Sequence, residues 1–377
     1  MSRVRVHLGP RSYTVHIGSG ILPDLGAAVL RHVPSRTVLL VADGGVADSH
    51  APLCASSLHA AGFDAHLVVV PPGEASKSLA AAARLYDAAL DCRLDRGSCI
   101  VAVGGGVVGD LAGFVAATFL RGIAFVQVPT TLLAQIDSSV GGKVAVDHPR
   151  GKNLIGAFHQ PRLVWCDVAT LDSLPAAELS AGLAEAVKSG ILGDASYYAF
   201  IRRRAAALLA RDPAALRRAV SGAVRIKAGF VEADEREELP AAPARARAGG
   251  RARTRMALNL GHTLGHAVEA VAGYGTIRHG EAVAIGMVAA GRLALGRGLW
   301  SARWQAGLEG TLAALRLPGR LPGLSARDLQ AAMRLDKKAA GGRLRYVLPV
   351  RPGEVTVADD VGEEELRAVL LGLGASA

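Results

Sequence analysis

Three short stretches in the second half of the chain carry side chains suited to holding a cation. GLAEAVKSG places Glu185 and Lys188 three positions apart, on one face of a helix. LNLGHTLGHAVEA places His262 and His266 at i and i+4, so both imidazoles project from one side. RHGEAVAIGM sets His279 just ahead of another helical run. One carboxylate and two imidazoles leave coordination positions open for a substrate, as a catalytic metal site does. A buried Glu in an Ala-rich helix is costly unless it is paired or metal-bound. Two His four apart also occur as an ordinary core or surface pair, so the spacing alone does not decide.

Cations lie near these stretches. Lys143 and Lys152 fall in IDSSVGGKVAVDHPRGKNLIG, Arg255 precedes Asn259 and His262, and Lys337 and Lys338 follow Asp336. A single Lys is most often a solvated surface residue. Several cations within otherwise uncharged, Gly-rich loops point to an anionic ligand.

In the first half, Gly104, Gly106 and Gly109 fit GxGxxG between the apolar run CIVAV and a helix-like LAGFVAATFL. Glycines there let the backbone approach a pyrophosphate, and the helix start adds partial positive charge. Packing turns use the same residues, so the strand–turn–helix context carries the reading. The acid that ordinarily binds ribose about 20 residues further on is missing, and Arg121 and Gln127 occupy that region. An earlier run, VLLVAD, does end in an acid, Asp43. The expectation is a dinucleotide site outside the ordinary dehydrogenase arrangement.

The elements that position these residues differ between the two halves. RVRVHL and YTVHI alternate polar and apolar residues, as paired strands do. RTVLLVAD, DAHLVVVPPG, SCIVAVGGG and AFVQVPTT are compact apolar runs with helical segments between them, which predicts βαβ units and a mainly parallel, Rossmann-like sheet. Beyond Leu174, Ala/Leu/Arg/Glu stretches dominate and Pro175 opens a helix. The predicted architecture is an α/β domain over 1–174 and an all-α carboxy-terminal domain over 175–377, with the active site in the cleft between them. PAAPARARAGGRAR, at 240–253, reads as a flexible surface insertion. Its four Arg lack the interleaved aromatics and recognised fold of a nucleic-acid arm.

Composition sets the outer limits. The 377 residues fit two to three domains and are 50% hydrophobic, which excludes a disordered chain. Four Cys without a CxxC pair argue against a disulfide framework or a zinc ribbon. The first residues lack the apolar core of a signal peptide, and the most apolar stretch is broken by Gly and Asp110, so a soluble cytoplasmic protein is the default expectation. The formal charge of +10 admits nucleic acid, anionic substrates or plain solubility as explanations.

Taken together, GGGVVGDLAGFVAATFLRGIAFVQVPTTLLAQIDSSVGGKVAVDHPRGKNLIGAFHQP, PPGEASKSL, GLAEAVKSG, VEADERE, LNLGHTLGHAVEA, HGEAVAIGM and LDKKAAGGRLRYVLP resemble the 3-dehydroquinate synthase family of sugar-phosphate cyclases, over nearly the whole chain. The resemblance implies a carbon–oxygen lyase of the shikimate pathway. Such an enzyme converts 3-deoxy-D-arabino-heptulosonate 7-phosphate to 3-dehydroquinate and phosphate, through transient oxidation by NAD, phosphate elimination, re-reduction and aldol closure. It implies Glu185, His262 and His279 as ligands of a divalent metal, zinc or cobalt, with His266 a proton-transfer or supporting group. It implies NAD contacts from Asp43, Pro72, Gly73, Glu74, Ala75, Ser76, Lys77, Gly106, Val107, Val108, Gly109, Asp110, Thr130 and Thr131, with Thr170, Leu171, Asp172 and Ser173 closing the site. Lys143 and Lys152 would lie where cofactor and substrate meet. Arg121, Asp137, Asn153, Lys188, Lys227, Arg255, Asn259 and the Lys337/Lys338 pair would line the substrate pocket. A homodimer acting on a small anionic sugar phosphate, with no nucleic-acid or membrane partner, completes the expectation.

Three departures from the family pattern stand out. Gly45 replaces a frequent Asn near the adenosine, Pro72 replaces the usual Asp before Gly-Glu, and 240–253 is inserted. Three rival readings are a related cyclase acting on sedoheptulose 7-phosphate, a metal-dependent polyol dehydrogenase and a basic nucleic-acid-binding protein. Lys227, Arg255 and Asn259 argue against the first, because the resemblance associates this trio with a carboxylated substrate.

Overall fold

The computed structural model describes residues 1–238, 254–273, 275–339 and 344–377, with the backbone alone at 335–339. The segment 240–253 thus lies outside the described residues. The chain gathers into two compact units, Met1–Pro175 with Pro213–Glu232, and Ala176–Asp212 with Ala233–Ala377.

The first unit holds strands β1 (Ser2–Val6), β2 (Tyr13–Gly18), β3 (Thr37–Asp43), β4 (Asp64–Val70), β5 (Cys99–Gly104), β6 (Ala124–Pro129), β7 (Lys143–His148), β8 (Gly151–Phe158) and β9 (Leu163–Asp167). Its helices are α1 (Leu25–Val29), α2 (His50–Ala60), α3 (Leu79–Asp91) and α4 (Gly106–Thr118). Seven strands form one sheet in the order β1-β2-β9-β6-β5-β3-β4. All neighbours are parallel except β1 and β2. Both faces are buried, as a parallel sheet requires. Alternate residues of β3 and β5 divide between them. Leu39, Val41, Ile100 and Ala102 pack with Leu85, Leu111 and Val115 of α3 and α4. Val38, Leu40, Val101 and Val103 pack with Leu25, Val29, Cys54 and Leu58 of α1 and α2. The chain moves outward from β3 to β4 and then returns to the other side of β3 with β5, so the order reverses between β3 and β5. That reversal is where open α/β sheets bind ligands, at the carboxyl ends of the strands.

The Lys-bearing stretch from 143 to 158, read from sequence as Gly-rich loop, is an antiparallel hairpin of β7 and β8. Its Val144 and Val146 are buried in the core on the α4 face, which is why it holds strand geometry despite its glycines.

The second unit is built from α5 (Ala176–Gly193), α6 (Ala195–Arg203), α7 (Ala205–Leu209), α9 (His262–Ala272), α10 (His279–Gly296), α11 (Ala302–Ala314), α12 (Ala326–Ala339) and α13 (Glu363–Gly372). The helical character expected of the carboxy-terminal half stands. To it is added a hairpin of β10 (Tyr346–Arg351) and β11 (Glu354–Ala358), an exception to the all-α expectation. Tyr346, Val347 and Leu348 are buried, so the hairpin is part of the core rather than a loop. The single cut expected near residue 174 leaves out one exchange: α8 (Pro213–Ala233), helical in texture, groups almost entirely with the sheet unit. Polar anchors account for it, since Lys227 donates to the Asp137 carbonyl at 2.6 Å and Glu232 accepts from the His7 backbone N–H at 2.8 Å. No helix among the described residues is long and apolar enough to cross a membrane.

Candidate active site

Two glycines bring the backbones of α5, α9 and α10 close together. A Cβ on Gly280 would stand 2.0 Å from the Ala181 carbonyl oxygen of α5. A Cβ on Gly286 would stand 1.9 Å from the carbonyl oxygen of Gly261, which begins α9. Only residues without a side chain allow this approach. It carries Glu185 of α5, His262 of α9 and His279 of α10 to one point, with one ligand atom from each within 4.8 Å of the others.

The two imidazoles meet Glu185 identically. His262 Nε2 and His279 Nε2 each lie 3.7 Å from Glu185 Oε1. These separations are too long for hydrogen bonds. They suit donors around one ion, since tetrahedral bonds of about 2.0–2.2 Å separate ligand atoms by roughly 3.3–3.6 Å. Glu185 is 1% exposed, and neither carboxylate oxygen has an aligned hydrogen-bond donor. Its partner is Lys188 Nζ, an ion pair at 2.5 Å with Lys188 itself buried. A buried carboxylate with an orphaned oxygen facing two imidazole nitrogens is the chemistry of a divalent-metal site, and the donor set fits zinc or cobalt.

Both rings turn Nε2 inward because Nδ1 is engaged elsewhere. His262 Nδ1 lies 3.2 Å from the Leu260 carbonyl, and His279 Nδ1 lies 3.2 Å from Glu269 Oε2. Burial, reinforced by the Lys188 charge, holds the His262 imidazole well below its usual pKa. Burial also pulls His279 down, but the Glu269 hydrogen bond and the charge of Glu185 outweigh it and raise the net value. His266 stands beside both, its ring centroid 5.4 Å from that of His262 and 6.3 Å from that of His279. Arg255 and Asn259 lie on the short helical turn Arg255–Asn259 just before α9. Arg255 is buried; its backbone N–H donates to Asp234 and its guanidinium to the Glu235 carbonyl.

In the first unit, the residues assigned to NAD gather at the carboxyl ends of five strands. Asp43 ends β3, 72–77 follow β4, 106–110 open α4 after β5, Thr130 and Thr131 follow β6, and 170–173 follow β9. Gly104 sits at the reversal of strand order. A Cβ there would be 2.8 Å from that of Asp43, so glycine permits the β3 and β5 ends to close up. No side chain caps the start of α4, which leaves its first backbone N–H groups facing outward for an anion. Asp43 itself accepts from the Gly45 N–H at 2.8 Å. Lys77, 5% exposed, is held by Asp110 at 2.6 Å and by Asn153. Burial pushes the Asp110 carboxyl up against the opposing pull of Lys77. Lys152 approaches Glu74 at 3.9 Å, and Lys227 approaches the Asp137 carboxylate at 2.7 Å. Lys143 is exposed at the start of β7.

Arg121 is not brought to this end of the sheet, because it lies between α4 and β6, before the amino end of β6. The side chains of Lys337 and Lys338 lie outside the described residues. Two residues were missed from sequence. Glu269 extends the His262/His266 stripe by three positions, and that spacing was the available signal. Gln135, fully buried, donates through Nε2 to the Pro129 and Asp167 carbonyls and to Thr170 Oγ1, tying the ends of β6 and β9 together. No sequence pattern signals that bond.

Family models described as 3-dehydroquinate synthase N-terminal and C-terminal match residues 67–181 and 182–339. The chain belongs to the 3-dehydroquinate synthase family. The resemblance read from its motifs is thereby borne out. The synthase of Desulforamulus reducens is 48% identical, over 98% of this chain and 99% of its own. Among solved structures, 2-epi-5-epi-valiolone synthase from Streptomyces hygroscopicus, with NAD+ and Zn2+ bound, superposes with a TM-score of 0.84 at 27% identity, over 96% of each chain. A 2-deoxy-scyllo-inosose synthase complexed with carbaglucose-6-phosphate, NAD+ and Co2+ gives 0.84 at 25% identity, over 98% of this chain and 99% of its own.

Proposed function

We propose that this chain is a 3-dehydroquinate synthase, releasing phosphate from 3-deoxy-D-arabino-heptulosonate 7-phosphate as it forms 3-dehydroquinate. The observation that carries the reading is the convergence of His262 Nε2 and His279 Nε2 on the orphaned Glu185 Oε1 in a chain of this family. Bound there, a divalent zinc or cobalt ion supplies Lewis acidity toward substrate hydroxyls, and NAD at the strand ends supplies a reversible hydride acceptor.

The chain's own residues do the rest. Glu185, His262 and His279 hold the ion, and Lys188 balances the Glu185 charge while presenting an ammonium to the substrate. His266, exposed beside the ligands, is placed to carry protons to and from substrate oxygens. Arg255 and Asn259 serve the substrate carboxylate, and Lys227 and Asp137 form a substrate-facing charge pair in the first unit. Lys143, Lys152 and Asn153 serve where substrate and nicotinamide meet. The working form is a cytoplasmic homodimer, testable by light scattering.

The relative that bears the synthase name is 48% identical, against 27% for the valiolone cyclase, which favours the carboxylated substrate. A coupled assay offers the heptulosonate phosphate and sedoheptulose 7-phosphate side by side, with and without chelator. Phosphate release from the first alone, without NADH accumulation and abolished by chelator, is expected. Preference for sedoheptulose 7-phosphate, or stoichiometric NADH from a polyol, overturns the assignment.

A further inference from the structure

The two histidines of the triad are oriented by different means. His262 is tied to the backbone, Nδ1 to the Leu260 carbonyl two residues away, so no substitution of a side chain removes that partner. His279 is the first residue of α10. Its main chain is fixed by the cap at Arg278, whose N–H donates to Glu281 at 3.0 Å and whose guanidinium meets Glu178 at 2.8 Å. Those bonds set where the ring is attached but not which nitrogen turns inward. The atom that faces Nδ1 is Glu269 Oε2.

Glu269 is 8% exposed, and a buried carboxylate is costly without a partner that answers it. An ionised carboxylate only accepts hydrogen bonds, so it demands a proton on the facing nitrogen. Nδ1 therefore carries hydrogen, and in a neutral ring Nε2 keeps its lone pair toward Glu185 Oε1, 3.7 Å away. Glu269 also shares α9 with His262, seven positions along the same face. One helix thus contributes a ligand and orients another ligand on α10.

We propose that Glu269 is the positioning residue of the metal centre: it fixes His279 in the Nδ1–H tautomer and ring orientation that turns Nε2 to the ion. The inference rests on the metal reading above and goes beyond it, because it assigns a role to a residue outside the ligand set. Carboxylates in this relation to a ligating His raise its basicity and hold its geometry.

The test is Glu269→Gln, which preserves shape but offers a donor as well as an acceptor, so both tautomers become admissible. Zn2+ and Co2+ dissociation constants are measured by competition with a chromophoric chelator, on wild type, Glu269→Gln, Glu269→Asp and His262→Ala. The expected result is a loss of about 10- to 100-fold in affinity for Glu269→Gln, with circular dichroism and the melting temperature of the metal-free protein unchanged. Nitrogen-15 spectra of the zinc-loaded wild type should show His279 protonated at Nδ1. If Glu269→Gln folds poorly, Glu269→Asp decides instead: it draws the carboxylate back from Nδ1, so a clear loss of affinity in a folded Glu269→Asp supports the role, and affinity within about twofold of wild type overturns it. Affinity of Glu269→Gln within about twofold of wild type, while His262→Ala no longer binds, overturns the positioning role alone. Failure of wild type to bind either ion overturns the metal reading and this inference with it.

Discussion

The strand ends of the first unit, proposed to take the dinucleotide, and the triad of the second, proposed to take the metal, are built in opposite ways. The proposed dinucleotide end is shaped by backbone features: a glycine turn, an uncapped helix start, and loops tied together by bonds such as Thr130 N–H to the Gly104 carbonyl. The triad depends on three side chains, each supplying one atom. A backbone-lined site tolerates changes of side chain so long as the path of the chain survives, whereas a ligand set tolerates none. This is how Gly45 and Pro72 can depart from the family pattern while Glu185, His262 and His279 conform.

The contrast can be broken most directly at the triad. His262→Ala should reduce turnover by about 10³-fold or more, because without the ion the Lewis-acid contribution of several kcal/mol is lost. Metal titration should show no saturable binding, with circular dichroism intact. Full turnover with no bound metal would falsify the ligand role.

Lys188→Ala tests the same region by charge. Breaking a buried pair costs about 3–5 kcal/mol because the remaining charge is stranded. The metal-free variant should therefore melt well below wild type, and added Zn2+ should restore much of the difference by answering Glu185. Turnover should stay low even where stability returns. Equal melting temperatures of the metal-free proteins would show that Glu185 does not need this counter-charge.

At the other site, Gly104→Ala places a Cβ 2.8 Å from that of Asp43 and 3.3 Å from that of Val108. Neither neighbour is the loose end of a side chain, so the strand ends must part. Overpacking of this kind costs about 1–3 kcal/mol, read by denaturant unfolding, and NAD affinity measured by fluorescence should fall with it. Unchanged NAD affinity would mean that the β3–β5 junction is not the cradle.

The smallest effect is expected of Gly45→Asn. Restoring the side chain frequent in the family should tighten NAD by no more than about tenfold, the scale of one hydrogen bond. The Asp43 oxygen 3.1 Å from the new Cβ must shift slightly to admit it. A larger gain would show that side chains matter at this site more than its backbone does.

Much of this was legible beforehand. The runs at β3, β4, β5 and β6 announced a parallel sheet because buried strands are continuous apolar segments, and the glycine turn announced the ligand end. The β7–β8 hairpin was not legible, since β8 carries Gly151 and Gly156 and the run is marked by Lys143 and Lys152. Nor was the hairpin at 346–358, which follows a long helical texture. Glu269 was overlooked because a carboxylate on a helix is usually solvated, and only its burial against His279 gives it meaning.

By itself, the sequence determined the residue types available for chemistry, their periodicity on helices and strands, and the family to which their joint pattern belongs. These are local properties, set by neighbours within a few positions. Only the tertiary structure decided that Glu185, His262 and His279, spread over nearly a hundred residues, share one point, and which nitrogen of each ring faces it. It does so through contacts distant in sequence: glycines that let three helices touch, and hydrogen bonds to Leu260 and Glu269 that fix the rings.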